Sequence, residues 1–204
     1  MTRVAGTRAA VGCPGALFEI RDRALHPYPL PHPDCVPLAI DGQGRLVAGR
    51  ASGDRVVRRY RGRSLDGTFP FALDDILSLA VSGDRTIVVR KNGEAIGLDD
   101  RTVPRIDYSY RLRRRFVFVD ASDDRIVFAG EETVVCDFEG NLLQRAPAAS
   151  KLRFGSHGLW RIGPDLRCGR RIVRAEALGL REVRDVVGGA EEWALGEALV
   201  RFEV

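Results

Sequence analysis

Lysine is nearly missing. Lys91 and Lys151 are the only two in a chain of 204 residues that carries 32 basic side chains. Positive charge here is arginine charge throughout, so an arginine by itself is no sign of selection for phosphate binding. No apolar run approaches the roughly 18 residues of a membrane span. The opening "MTRVAGTRAAVG" lacks the continuous apolar region of a signal peptide, so a cytoplasmic protein is expected. The four cysteines, Cys13, Cys35, Cys136 and Cys168, form no CxxC pair, and free buried thiols are expected of them. No segment sustains a helical period. "RIVRAEALGLREVRDV" comes nearest and is interrupted by Gly179. No glycine-rich loop stands between a strand and a long helix, which removes that route to nucleotide binding.

What is present is a repeat of turns and β-prone runs. "ILSLAVSGDRTIVVRKNGEAI" (76–96) aligns without a gap with "FVFVDASDDRIVFAGEETVVC" (116–136), at a shift of 40 residues. The same shift backwards reaches "VPLAIDGQGRLVAGRASGDRV" (36–56). Turns at 42–45, 82–85 and 122–125 then coincide, each between two β-branched runs, as in hairpins. A second turn follows in each copy, at 52–54, 92–93 and 131–132. Two weaker copies come next, "LRFGSHGLWRIGPDLRC" (152–168) and "RDVVGGAEEWALGEALVRFEV" (184–204). They place Trp160 and Trp193 at the repeat position of Ile87, the position of an apolar wedge between neighbouring units.

This rhythm of short strands and turns resembles the β-propeller repeat proteins in the broad sense. The Gly-His and Trp-Asp dipeptides of the WD type are lacking, so the resemblance implies a fold and no particular activity. The expected class is all-β: a compact closed β-propeller in one domain over 1–204. Five turn starts predict five blades, over units 36–75, 76–115, 116–151, 152–182 and 183–204. The last unit supplies about three strands, and "GALFEIR" (15–21) is expected to complete it as an N-terminal strand. Residues 22–35 would then be a crossing loop. That crossing contains "LHPYPLPHPDC" (25–35), with four prolines, two histidines and a cysteine. Cys13, His26, His32 and Cys35 are chemically sufficient for zinc, but their spacing matches no common finger. A strict PxxP match is absent. A stiff connector without metal is expected, and no cofactor.

Two runs concentrate charge. "RVVRRYRGR" (55–63) holds five arginines and no acid, and "YRLRRR" (110–115) adds four more. Residues 1–115 carry 20 basic and 13 acidic groups, against 12 and 15 in 116–204. The candidate partner-binding residues are therefore Arg58, Arg59, Tyr60, Arg61, Arg113 and Arg114. Outer strands with charges that blunt their edges explain the same runs, and phosphate contact with aromatic stacking is a further reading. Catalytic signals are thin. His157 in "GSHG" falls on a turn, and the pairs Asp74–Asp75, Asp99–Asp100 and Asp123–Asp124 offer carboxylates. The sequence thus reads as a non-catalytic protein-binding or scaffolding propeller, a subunit or accessory component of a larger bacterial assembly. The alternatives are a small-ligand or glycan-binding propeller, and a hydrolase using channel carboxylates. A protein partner is expected ahead of nucleic acid, and no membrane.

Overall fold

A computed structural model describes residues 2–6, 10–41, 43–99, 104–149, 151–155, 158–187 and 192–203. The strands form six blades around a ring. Blade 1 holds β1 (Thr2–Gly6), β2 (Ala10–Cys13), β3 (Ala16–Arg21) and β4 (Ala24–Pro27). Blade 2 holds β5 (Cys35–Ile40), β6 (Leu46–Arg50), β7 (Val56–Arg61) and β8 (Ser64–Ala72). Blade 3 holds β9 (Ile76–Ser82), β10 (Arg85–Arg90), β11 (Ala95–Leu98) and β12 (Pro104–Asp107). Blade 4 holds β13 (Phe116–Ala121), β14 (Ile126–Gly130), β15 (Glu132–Cys136) and β16 (Leu142–Pro147). Blade 5 holds β17 (Leu152–Gly155), β18 (Gly158–Ile162), β19 (Asp165–Cys168) and β20 (Arg171–Arg174). Blade 6 has three strands among the described residues, β21 (Asp185–Val187), β22 (Glu192–Leu195) and β23 (Leu199–Phe202). Within each blade neighbours in sequence pair antiparallel. The first strands of blades 1 and 2 also touch, with Ala5 opposite Ala39 and Gly6 opposite Ile40 in parallel register.

The expected five blades are therefore six, and the expected closing strand does not close the ring. β3 covers "ALFEIR", and both of its edges are in use. Val11 lies opposite Phe18 on one side, and Ile20 lies opposite Leu25 on the other. A strand whose backbone groups are paired twice has none left for β23. The stretch read as a crossing also begins as a strand, because residues 24–27 are β4. Only residues 28–34 cross to blade 2. There Tyr28 donates from its hydroxyl to the Gly44 carbonyl at 2.8 Å. Asp34 accepts from Ser52 Oγ at 2.7 Å and from Arg50 Nε at 3.1 Å. These bonds hold the Asp34 carboxyl below the usual aspartate range, the Ser52 bond most strongly.

Alternation along strands decides where the core lies. Ile87 and Val89 of β10 face blade 4, where they meet Phe116, Val119 and Phe128. Val88 between them faces blade 2 and meets Val47, Val57 and Phe69. The same rule makes six apolar seams, one between each pair of neighbours. The last seam packs Val187, Trp193 and Leu195 of blade 6 against Val11, Phe18 and Ile20 of blade 1. Among the described residues, side-chain packing joins these two blades and no strand ladder does. Burying a Val, Leu or Phe contributes about 1.5–3 kcal/mol, so each seam is a substantial share of the stability.

Two buried polar clusters cross the seams. At one end of blades 2 and 3, Arg45 bonds Asp41 at 2.6 Å and approaches Asp66 and Asp84 at 3.4 Å each. On the inner strands, Arg153 of β17 bonds Asp185 of β21 at 2.8 Å and lies 3.7 Å from Asp120 of β13. Asp120 in turn accepts from the Phe154 backbone N–H at 2.8 Å. Blades 4, 5 and 6 are thus tied through one guanidinium.

Candidate protein-binding face

First-to-second and third-to-fourth strand turns leave one face of the ring, here called lower. Gln43 Nε2 donating to Asp84 Oδ2 at 2.9 Å shows neighbouring blades meeting there. Second-to-third turns and the connections between blades form the upper face. One upper connection holds the one α-helix among the described residues. Between blades 3 and 4 the chain makes a short helix, α1 (Tyr108–Leu112).

Local chemistry explains α1. Asp107 caps it, accepting from the Tyr110 backbone N–H at 2.9 Å and from Ser109 Oγ at 2.7 Å. Arg113 ends it at φ 54° in the left-handed region, where its N–H reaches the Tyr110 carbonyl at 3.3 Å. Tyr108 points inward, buried among Phe116 and Phe128. Its hydroxyl donates to the Phe138 carbonyl at 2.9 Å. A Cβ on Gly97 would come within 2.9 Å of this ring, so glycine makes room for the anchor. Arg111 donates to the Glu139 carbonyl on the blade 4 side.

With one tyrosine anchored, the next is presented. Tyr110 is 82% exposed, the most exposed of the large apolar side chains among the described residues. It borders a cavity of about 420 Å³ lined also by Arg113, Arg114, Arg115, Glu94 and Glu131. Arg114 is held by Glu132 at 2.9 Å, and Arg115 donates to the Asn92 carbonyl at 3.4 Å. Both signs of charge and an aromatic ring surround the hollow, so it can take a mixed polar surface with one apolar anchor.

The remaining sequence candidates lie elsewhere, on β7. Arg59 is 4% exposed and binds Asp66 at 3.1 Å. Tyr60 is buried in the seam between blades 1 and 2. Arg58 pairs with Asp54, and Arg61 stands outside, 3.8 Å from Asp66. The structure therefore brings Arg113 and Arg114 together at one upper hollow and keeps Arg58, Arg59, Tyr60 and Arg61 apart from it. Sequence reasoning named the arginines and passed over Tyr110, although "YRLRRR" begins with it.

Among the described residues the histidines, cysteines and aspartate pairs gather into no common cluster. His26 faces the Arg21 carbonyl, with Nε2 at 3.2 Å, while the His32 ring stands edge-on to Tyr60 at 6.0 Å. Burial pushes the Cys35 thiol up to about 11. Among the described residues no group of three His, Cys, Asp or Glu side chains could hold a metal ion. Asp75 binds Arg90 at 2.6 Å and Asp124 binds Arg125 at 2.6 Å. Asp100, Ser156 and His157 lie outside the described residues. A second upper hollow of about 390 Å³ opens where Val36, Leu77 and Phe118 meet Lys151 and Arg153. Its two cations both bind Asp185, at 2.7 and 2.8 Å.

Comparison with known proteins rests on shape alone. No family model matches the sequence, and no curated protein does. Solved structures do match. The WD40 β-propeller domain of Doa1 superposes with a TM-score of 0.62 at 11% identity, over 93% of this chain and 72% of that one. The fold is a β-propeller with short blades. The computationally designed protein Ika8 gives 0.56 at 12% identity, over 98% and 71%. BBS1N, crystallised in complex with ARL6DN, gives 0.56 at 11% identity, over 94% and 73%.

Proposed function

We propose that this propeller is a protein-binding component that docks its partner on the upper face at α1. The observation that carries the reading is Tyr110, exposed beside Arg113 and Arg114 on a helix whose neighbouring tyrosine is locked inside. Tyrosine and arginine are the residue types that anchor protein interfaces, and a rigid base lowers the cost of ordering them. The fold supports the reading in the coarse sense, since BBS1N, which superposes on this chain, was crystallised in complex with ARL6DN. The same reading extends to a role as scaffold or subunit of a larger assembly.

The test is site-specific photo-crosslinking in the native cell. A photoreactive residue at position 110 should yield a protein adduct, and the same residue at position 143, on the outer strand of blade 4, should not. Charge reversal of Arg113 and Arg114 should abolish the adduct. No adduct at 110, or equal adducts at both positions, would sink the proposal.

A further inference from the structure

A second feature lies on the lower face and recurs from blade to blade. The third-to-fourth strand turns of blades 1, 2 and 5 are two-residue turns: Asp22-Arg23, Gly62-Arg63 and Gly169-Arg170. The first residue of each has a left-handed φ, of 49°, 59° and 59°, as tight hairpins between twisted strands require. The second is arginine each time. Two positions later comes an exposed apolar side chain: Leu25 at 44%, Leu65 at 58% and Ile172 at 54%. These residues begin the outermost strands, which have no further strand to cover them.

Charge follows the same pattern. Segments 21–25, 61–65 and 167–172 contain seven arginines and one aspartate. All seven arginines are exposed. The corresponding turn of blade 4 contains no arginine and carries Asp137 and Glu139. Blades 5 and 1 flank blade 6, and blade 2 follows blade 1, so the basic turns occupy one continuous arc of the rim. Blade 6 adds Arg201 within it, salt-bridged to Glu203 at 2.7 Å.

We propose that this arc is a docking surface for an anionic lipid membrane. Turns that share one face of the ring suit a flat partner. An arginine beside a leucine or isoleucine suits the boundary where phosphate headgroups meet acyl chains, since the guanidinium reaches phosphate while the apolar side chain enters the layer below. On a nucleic acid the three apolar side chains would stay in water. A second copy of this chain would set arginine against arginine. Among the described residues no helix is long and apolar enough to cross a membrane, so the proposed attachment is peripheral. It uses the face opposite α1 and does not depend on the protein partner.

The experiment is co-sedimentation of the full chain with vesicles of phosphatidylcholine, with and without about 30 mol % phosphatidylserine. The expected result is binding to the anionic vesicles only. Arg63→Glu, Arg170→Glu and Arg171→Glu together should lower the partition coefficient at least about 100-fold, since each arginine near an anionic surface contributes about fivefold. Leu25→Ser, Leu65→Ser and Ile172→Ser together should lower it by about tenfold or more. Arg105→Glu with Arg145→Glu, on blades 3 and 4, should leave it within about twofold. Melting temperatures close to wild type would show that the variants fold. Three results would overturn the proposal: no binding of the wild-type chain to anionic vesicles, no effect of the apolar triple variant, or an equal loss in the blade 3 and 4 control. Tighter binding to a DNA duplex, insensitive to the apolar variant, would overturn it in favour of nucleic acid.

Discussion

Two arginine-rich runs of similar composition have opposite fates. In 55–63 the run becomes β7, a third strand with neighbours on both sides, and Arg59 is sealed against Asp66. In 110–115 the run ends a helix and turns its charges outward around Tyr110. Composition did not separate them; the element did. A third strand must bury alternate residues, and an arginine at such a position needs a carboxylate. A connection between blades has no such obligation. Arg58 and Arg59 of the first run are spent inside blade 2, Arg61 and Arg63 at its end stand exposed, and the second run sets its charge beside the exposed Tyr110.

The largest expected effect tests the first half of this contrast. Asp66→Ala leaves Arg59 and Arg45, each with a side chain 5% exposed, without a shared carboxylate. The expected destabilisation is about 3 kcal/mol, read from the urea midpoint. Arg113→Ala on the other run should change stability by no more than about 0.5 kcal/mol. Equal losses in the two would erase the distinction.

A smaller effect separates the two tyrosines of α1. Tyr108→Phe removes a buried hydroxyl and orphans the Phe138 carbonyl, a cost of about 1–1.5 kcal/mol by thermal or urea unfolding. Tyr110→Phe should be silent in the same assay and visible only in partner capture.

The smallest effect concerns an arginine pair in neither run. The hydrogen bond from Arg125 holds the exposed Asp124 carboxyl down to about 2 from its usual 3.8, with Ser122 helping. A depressed carboxylate contributes stability that is complete above its unfolded value. That contribution is lost as pH falls from about 4 towards 2. An NMR titration of Asp124 should show the low midpoint, and Arg125→Ala should return it towards the ordinary range. An unchanged midpoint would mean that the pair seen in the structure does not form in solution.

The sequence showed the middle of the ring better than its ends. Blades 2, 3 and 4 follow a 40-residue period, and the turns at 82–85 and 122–125 stand between first and second strands. Trp160 and Trp193 lie on second strands beside the blade seams. Blade 1 was hidden because its fourth strand ends at Pro27, in the proline-rich stretch, which disguises it as a connector. One signal did exist. Asp22-Arg23-Ala24-Leu25 precedes Gly62-Arg63-Ser64-Leu65 by the same 40 residues, so the repeat extends one unit further towards the N-terminus. Tyr110 was missed for another reason. Only the inward turn of Tyr108 fixes its neighbour outward, and that depends on the space above Gly97, which no local pattern reveals.

Placement of the two tryptophans has a spectroscopic consequence. Trp160 is fully buried between blades 5 and 6, edge-on to Phe202 and donating to Glu192 at 2.9 Å. Trp193 sits on the other side of blade 6, in the seam with blade 1. The chain has no other tryptophan, so intrinsic fluorescence views only the two joints of the three-stranded blade. Emission shifting red before far-UV circular dichroism changes would record the ring parting at that blade while the other five keep their sheets. The protein thus carries its own optical gauge of ring opening, distinct from any measure of overall unfolding.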